Sequence, residues 1–218
     1  MEYLSLIAKY VPVVVFGLLP IMNPLSTVPL FLVLTKGRSA SYRQRQAIKA
    51  SLYAFGILVT FLFVGNGIIA LFGISLAGIR VAGGLIIMVL AFRMLFAGES
   101  EADSVEAEPA KIKQADVDFS FSPLAMPSLS GPGSIAVVMG YGSQIPDDMA
   151  EMGHAIVVMG IALTAAIAYL TLRCSVWLSS FLGQYGIQAV TKILGFLLAC
   201  VAVQFIASGI RDFVSTIS

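Results

Sequence analysis

Two prolines interrupt the first long apolar stretch of this chain, residues 10–34, whose centre reads Leu19-Pro20-Ile21-Met22-Asn23-Pro24-Leu25-Ser26-Thr27. A second apolar stretch, residues 119–139, is interrupted by Pro127-Ser128-Leu129-Ser130-Gly131-Pro132-Gly133. Such breaks free backbone groups that hydrocarbon cannot satisfy, so broken segments face protein or water rather than lipid. Interrupted segments at corresponding places in two halves of a chain indicate the binding site of a transporter.

The composition is that of a membrane protein. Hydrophobic residues make up 58% of the 218 residues, charged residues make up 11%, and the mean hydropathy is +0.94. A soluble domain carries about 25% charged residues. The formal net charge of +1 gives no basis for nucleic-acid binding, so we predict the lipid bilayer as a partner and no nucleic acid. Cys174 and Cys200 lie in apolar stretches and are predicted to be buried packing residues.

Six stretches have the length of about 20 apolar residues that a membrane-spanning helix needs: 11–35, 48–72, 74–96, 119–139, 155–181 and 187–210. An acidic linker, residues 98–118, separates the first three-span repeat (1–97) from the second (119–218) within one membrane domain. Because three is odd, the second half enters the membrane in the opposite direction, so the repeats are inverted. The predicted fold is all-α, with six transmembrane helices of which the first and fourth are broken.

The distribution of basic residues predicts the orientation. Ten of the 13 lysines and arginines fall on one side of the membrane if the six spans alternate. Lysine and arginine in short loops favour the cytoplasmic side. We therefore predict a multi-pass protein of the bacterial inner membrane with both termini in the periplasm and the acidic linker in the cytoplasm.

The first break supplies candidate substrate-binding residues. Pro24 removes an N–H and displaces the carbonyl of Pro20, which leaves Asn23, Ser26 and Thr27 where they could line a polar cavity. The amide of Asn23 has both a donor and an acceptor, which suits the carboxylate and ammonium of a zwitterion. The alternative is a structural kink that neighbouring helices satisfy. Pro24 itself is included among the candidates.

The second break supplies the others. Gly131-Pro132-Gly133 cannot comfortably continue a helix, and a helix that restarts at Gly133 would present free N–H groups to an anion. Ser128 and Ser130 could add hydroxyl donors, so Ser128, Ser130, Gly131 and Gly133 are predicted to bind substrate. The alternative is close helix packing through small residues.

Arg80 is a further candidate, because charges inside apolar spans are rare and often functional. The alternative is that its side chain reaches the outer membrane surface. No aspartate or glutamate lies inside any of the six predicted spans, and no nucleophile–base pair or metal-ligand cluster is found. We therefore predict no catalytic residues, no metal site and no cofactor. As the coupling ion we rank Na⁺, or no ion, above the proton.

The chain resembles the MarC family of bacterial and archaeal inner-membrane proteins. The resemblance rests on seven blocks of sequence at 23–31, 73–84, 92–96, 123–127, 131–133, 195–198 and 203–206. It implies a six-span protein related to the LysE-type exporter group, and an archaeal relative is described as a transporter of small neutral amino acids such as glycine and alanine.

We therefore expect an inner-membrane transporter that moves a small neutral amino acid through a site between the two breaks. The alternative is a membrane scaffold or lipid-interacting protein without a solute path. No particular oligomeric state is predicted.

Overall fold

The computed structural model describes residues 2–96 and 118–217, so all of the acidic linker except Asp118 lies outside the described residues. The regular structure in these two ranges is helical. In chain order it consists of α1 (Glu2–Met22), α2 (Pro24–Leu34), α3 (Ala40–Leu71), α4 (Leu76–Phe96), an irregular segment (Ser120–Leu129), α5 (Pro132–Gly142), a 3₁₀ turn (Asp147–Met149), α6 (Ala150–Arg173) and α7 (Ser175–Ile217). The prediction of an all-α chain is confirmed for the described residues.

Five stretches of helix in the described ranges are long and apolar enough to cross a membrane: Ser5–Met22, Ala40–Gly65, Ala77–Phe96, Ala150–Arg173 and Tyr185–Ser215. Large apolar side chains such as Phe16 and Phe181 are 73% exposed on the outside of this bundle. Exposed apolar surface of this extent would be unfavourable in water and is suited to lipid. The apolar core lies where α1 and α3 each pack against α6, with Leu18, Leu58 and Ile161 fully buried.

The predicted bounds of the fifth span, 155–181, are wrong. Helix α6 ends at Arg173, and α7 begins after a one-residue turn at Cys174. A charged side chain is costly inside hydrocarbon, and a cation in the last turn of a helix is stabilised by the helix dipole. Both effects favour a helix end at Arg173, where the guanidinium is exposed. Helix α7 is interrupted at Gly183, whose φ of 62° lies in the left-handed region open to glycine.

The predicted end of the sixth span at residue 210 is also too early, because α7 continues to Ile217. Asp212 therefore lies within the last apolar helix, and the prediction that no carboxylate lies inside a span is wrong. Asp212 is tolerated there because it forms an ion pair with Arg80 of α4.

The prediction that the cysteines are buried is wrong as well. Cys174 is exposed in the turn before α7, and Cys200 is exposed on the surface of α7.

Helices α4 and α7 pack against each other along a line of small residues, which we call the α4–α7 seam. A β-carbon built on Gly209 would lie 2.8 Å from the carbonyl oxygen of Ala77, and one on Gly84 would lie 2.9 Å from that of Ala202. The third pair is Gly195 and Ala91, with 3.2 Å between the corresponding atoms. The pairs recur every seven residues along both helices and in opposite directions. Small residues at this spacing let two backbones approach closely in a membrane.

Candidate functional site

The first break lies at Asn23. Helix α1 passes through Pro20 and ends at Met22, so the second proline, Pro24, ends the helix. Asn23 has φ 35° and ψ 62°, a left-handed conformation that asparagine tolerates better than most residues. Pro24 then begins α2, and the missing N–H costs little because N–H groups in the first turn of a helix have no helical acceptor. The side chain of Asn23 is enclosed in the bundle, at 4% exposure.

The hydroxyl groups beside this break bond to its own backbone. Ser26 Oγ donates to the carbonyl oxygen of Asn23 at 3.0 Å, and Thr27 Oγ1 donates to the same oxygen at 3.5 Å. The side-chain oxygen of Asn23 accepts a 3.4 Å hydrogen bond from the backbone N of Ser26. Its Nδ2 donates at 3.5 Å to the sulfur of Met94, which is a weak acceptor. Among the polar side chains of the first break, the amide of Asn23 therefore keeps the most hydrogen-bonding capacity for a ligand.

The second break occupies the irregular segment and the first residues of α5. Ser122 and Met126 have extended backbones, as expected of residues that precede a proline. The fully buried Ser130 donates twice to the carbonyl oxygen of Ala125, through its backbone N at 2.8 Å and its Oγ at 2.9 Å. Ser134 Oγ donates to the carbonyl oxygen of Leu129 at 3.3 Å. These hydroxyls satisfy carbonyls that the missing helical turns leave free.

The N-terminus of α5 points into the bundle without a side-chain cap. The helix restarts at Pro132 instead of Gly133, and its N-cap residue Gly131 has no side chain to donate or accept. Among the described residues, the backbone N–H groups of Gly133 and Ser134 have no hydrogen-bond acceptor. A helix N-terminus with unpaired N–H groups is suited to bind an anion such as a carboxylate.

The two breaks are neighbours in space. A β-carbon built on Gly133 would lie 3.2 Å from Cγ2 of Ile21, two residues before Asn23. It would also lie 3.0 Å from Cδ1 of Leu90 on α4, the helix that carries Met94. Gly131 is constrained by its own segment, since a β-carbon there would lie 2.7 Å from the carbonyl oxygen of Pro127. A β-carbon at Gly131 would force the segment to shift, one at Gly133 would crowd two side chains, and α4 lies beside both breaks.

The structure does not bring every predicted site residue to this place. Arg80 forms its ion pair with Asp212, and its side chain is 15% exposed. It lies 14 residues before Met94 on α4, about 21 Å along a helix axis. Ser128 is half-buried on the irregular segment. The other predicted site residues, Asn23, Pro24, Ser26, Thr27, Ser130, Gly131 and Gly133, belong to the two breaks, which meet at Ile21 and Gly133.

Sequence reasoning missed the contribution of α4. Leu90 and Met94 contact the two breaks, yet both are ordinary apolar residues within an apolar span. No local signal distinguishes them from residues that face lipid.

Asp212 was missed for a different reason, because it follows the apolar stretch that defined the sixth span. A carboxylate two residues beyond an apolar stretch, with an intramembrane arginine elsewhere, is the signal that could have indicated it.

A comparison with known families identifies the chain. The sequence profile of the MarC family integral membrane proteins matches residues 8–214, which include both breaks. The chain belongs to the MarC family. Two proteins named inner membrane protein MarC, from Escherichia coli O1:K1 and Salmonella typhimurium LT2, are 38% identical to it over 205 and 208 residues. Each alignment covers 91% of this chain and 93% of the relative. No solved structure matches this member of the MarC family.

Proposed function

We propose that this protein is an inner-membrane transporter of small neutral amino acids, built from six spans in two inverted repeats. The observation that carries the proposal is the meeting of the two breaks, with Gly133 against Ile21. Discontinuous helices that meet within a membrane bundle are characteristic of transporter binding sites. The family match supports a membrane protein, and the names of its relatives support the inner membrane.

The pairing of corresponding elements supports an inverted repeat. Helices α2 and α5 each follow a break, each contain 11 residues, and each begin with a proline. Helices α4 and α7, the last elements of the two halves, run in opposite directions along the α4–α7 seam. The central pair of that seam is Gly84 and Ala202, with equal seven-residue steps on either side. Such a pattern is what a twofold axis in the membrane plane would generate.

The chemistry of the breaks favours a small zwitterion. The N–H groups of Gly133 and Ser134 would bind the carboxylate, and the side-chain oxygen of Asn23 would accept from the ammonium. The close packing around Gly133 disfavours a substrate with a bulky side chain. Asn23, Ser130 and Gly133 are buried, so transport requires the packing around them to open towards each side of the membrane in turn.

For coupling, we propose Na⁺ or no ion ahead of the proton, and no enzymatic activity. The carboxylate of Asp212 is held by Arg80, at a distance from the breaks, and is an unfavourable proton carrier for them. Carbonyl and hydroxyl oxygens of the first break are hard ligands of the kind that Na⁺ accepts.

The proposed orientation has both termini in the periplasm. Arg80 and Asp212 then lie at the outer end of the bundle, and Lys49 and Asp118, which pair at 2.5 Å, lie at the cytoplasmic end. A reporter fused after Ser218 that is active only in the periplasm should therefore give a signal. Activity of a cytoplasm-specific reporter at the same position would reverse the orientation.

A specific observation also favours the alternative, a scaffold or lipid-interacting protein. The hydroxyls of Ser26, Thr27 and Ser130 bond to backbone carbonyls of their own segments, as they would in purely structural breaks. In that case the breaks serve only to shape the bundle.

Counterflow in proteoliposomes separates the two functions. Vesicles loaded with unlabelled glycine or alanine should accumulate the labelled amino acid, and Asn23→Ala should lower the rate. Thr60→Ala is the matched control, because it removes a 2.8 Å hydrogen bond from an exposed position on α3. Absence of counterflow with glycine, alanine and a panel of other small solutes would favour the scaffold.

A further inference from the structure

An open cavity of about 480 Å³ lies at the end of the molecule where α2 ends, α3 begins and α6 gives way to α7. Its lining includes the polar side chains of Arg43, Gln44, Arg173 and Ser175 and the aromatic rings of Phe31 and Trp177. A volume of this size is within the range of about 300–1,000 Å³ that holds small ligands. The cavity is separate from the two breaks, because its α2 residue, Phe31, lies eight residues beyond Asn23, about 12 Å along a helix.

The two arginines give the cavity a positive charge that no carboxylate offsets. Within residues 2–96 and 118–217, neither Arg43 nor Arg173 forms an ion pair. Arg173 donates one hydrogen bond, of 2.9 Å, to the hydroxyl of Tyr169. A guanidinium has five N–H donors in a fixed planar arrangement that matches the oxygens of a phosphate. Both side chains therefore retain donors for an anionic ligand.

Ser175 adds a hydroxyl donor to the lining of the cavity. The residue is only 1% exposed, yet its hydroxyl has no hydrogen-bond partner among the described residues. It is also the first residue of α7, whose first-turn N–H groups lack helical acceptors. A hydroxyl at a helix N-terminus, beside two guanidinium groups that have no carboxylate partner among the described residues, is an arrangement that an anion would satisfy.

An exposed aromatic pair beside this cavity indicates that it lies near a membrane surface. Trp177 and Phe181 stack with ring centroids 5.3 Å apart, and they are 63% and 73% exposed. Tryptophan is enriched at the level of lipid headgroups, where its ring contacts both hydrocarbon and water. Basic pockets between helices at this level bind anionic headgroups.

We propose that this cavity binds a phosphate group, with Arg43, Arg173 and the hydroxyl of Ser175 donating to the phosphate oxygens. The ligand is the phosphodiester of an acidic phospholipid, whose acyl chains lie along Trp177 and Phe181; free phosphate shares the same chemistry. The site does not depend on transport and would exist in a scaffold as well.

The test follows thermal unfolding of the full-length protein in detergent, titrated separately with short-chain phosphatidylglycerol, short-chain phosphatidylcholine and inorganic phosphate. We expect phosphatidylglycerol to raise the unfolding midpoint at lower concentrations than phosphatidylcholine. In the double variant Arg43→Gln/Arg173→Gln, the half-saturating concentration of phosphatidylglycerol should rise about tenfold or more for each arginine lost.

Two controls separate the site from general charge and folding effects. Lys36→Gln/Arg45→Gln removes two neighbouring cations that do not line the cavity and should titrate like the parent protein. Tyr169→Phe removes the internal bond of Arg173 and should also keep the response. A response to inorganic phosphate that the cavity variant loses would support the same site with a soluble ligand. Equal titrations for the parent and the cavity variant, or equal losses in both double variants, would overturn the proposal.

Discussion

Replacing Gly84 by alanine should weaken the α4–α7 seam. A β-carbon at this position would lie 2.6 Å from Cγ1 of Ile206, 2.9 Å from the carbonyl oxygen of Ala202 and 3.1 Å from the backbone nitrogen of Ile206. The side chain of Ile206 can rotate away, but the two backbone atoms cannot, so the helices must move apart. Overpacking of this kind costs about 1–3 kcal/mol.

Gly56 on α3 provides the matched control, since a β-carbon there would meet nothing within 4 Å. Both substitutions gain the same helix propensity, about 1 kcal/mol from glycine to alanine. The difference between the two variants therefore isolates the packing cost. We expect the free energy of unfolding of Gly84→Ala to be about 1–3 kcal/mol lower than that of Gly56→Ala, a factor of about 5–150 in the equilibrium constant.

Titration with sodium dodecyl sulfate in mixed micelles, followed by near-ultraviolet circular dichroism, measures this free energy for the parent and both variants. Gly84→Leu should be less stable again, because its longer side chain also has to fit between the two backbones. Equal stability of Gly84→Ala and Gly56→Ala would refute the close approach of α4 and α7.

Three further predictions concern the site and the charges. Asn23→Ala should reduce glycine counterflow without loss of folded protein, because one hydrogen bond to a charged group accounts for about a 10- to 150-fold change in affinity. Ser130→Ala should also reduce it, because it removes the hydroxyl that bonds to the carbonyl of Ala125 and supports the second break. Parent-like rates in both variants would make the breaks structural. Proteoliposomes with a pH gradient and no sodium should show no driven uptake, and uptake under that gradient alone would reject the proposed coupling. The hydrogen bond from Lys49 lowers the pKa of Asp118 from 3.8 to about 2. This carboxylate therefore adds stability above about pH 4 that is lost as the pH falls towards 2. The difference in thermal unfolding midpoint between the parent and Asp118→Asn should be small, because the side chains of Lys49 and Asp118 are both more than 40% exposed. It should shrink as the pH falls from about 4 towards 2. A difference that grows on acidification would contradict the assignment.

Much of this architecture follows from local properties of the chain. Apolar stretches of sufficient length form helices in lipid because only a helix satisfies its backbone within one segment. The break at Asn23 was predictable for a similar reason, since Pro24 lacks an N–H and its ring excludes the preceding helical turn. The second break follows from Gly131 and its neighbours in the same way. These features depend on residues within one or two turns of each other.

The arrangement of these pieces depends on contacts between residues far apart in the chain. The sequence contains many glycines, but only the packed structure shows that Gly84 faces Ala202 while Gly56 faces open space. It likewise pairs Arg80 with Asp212, 132 residues away, and turns the Ser130 hydroxyl onto a backbone carbonyl. Helix periodicity fixes which residues share a face, but the partner of each face is chosen by the close packing of all helices together. Which helix faces pack together is therefore not indicated by any single stretch of the sequence.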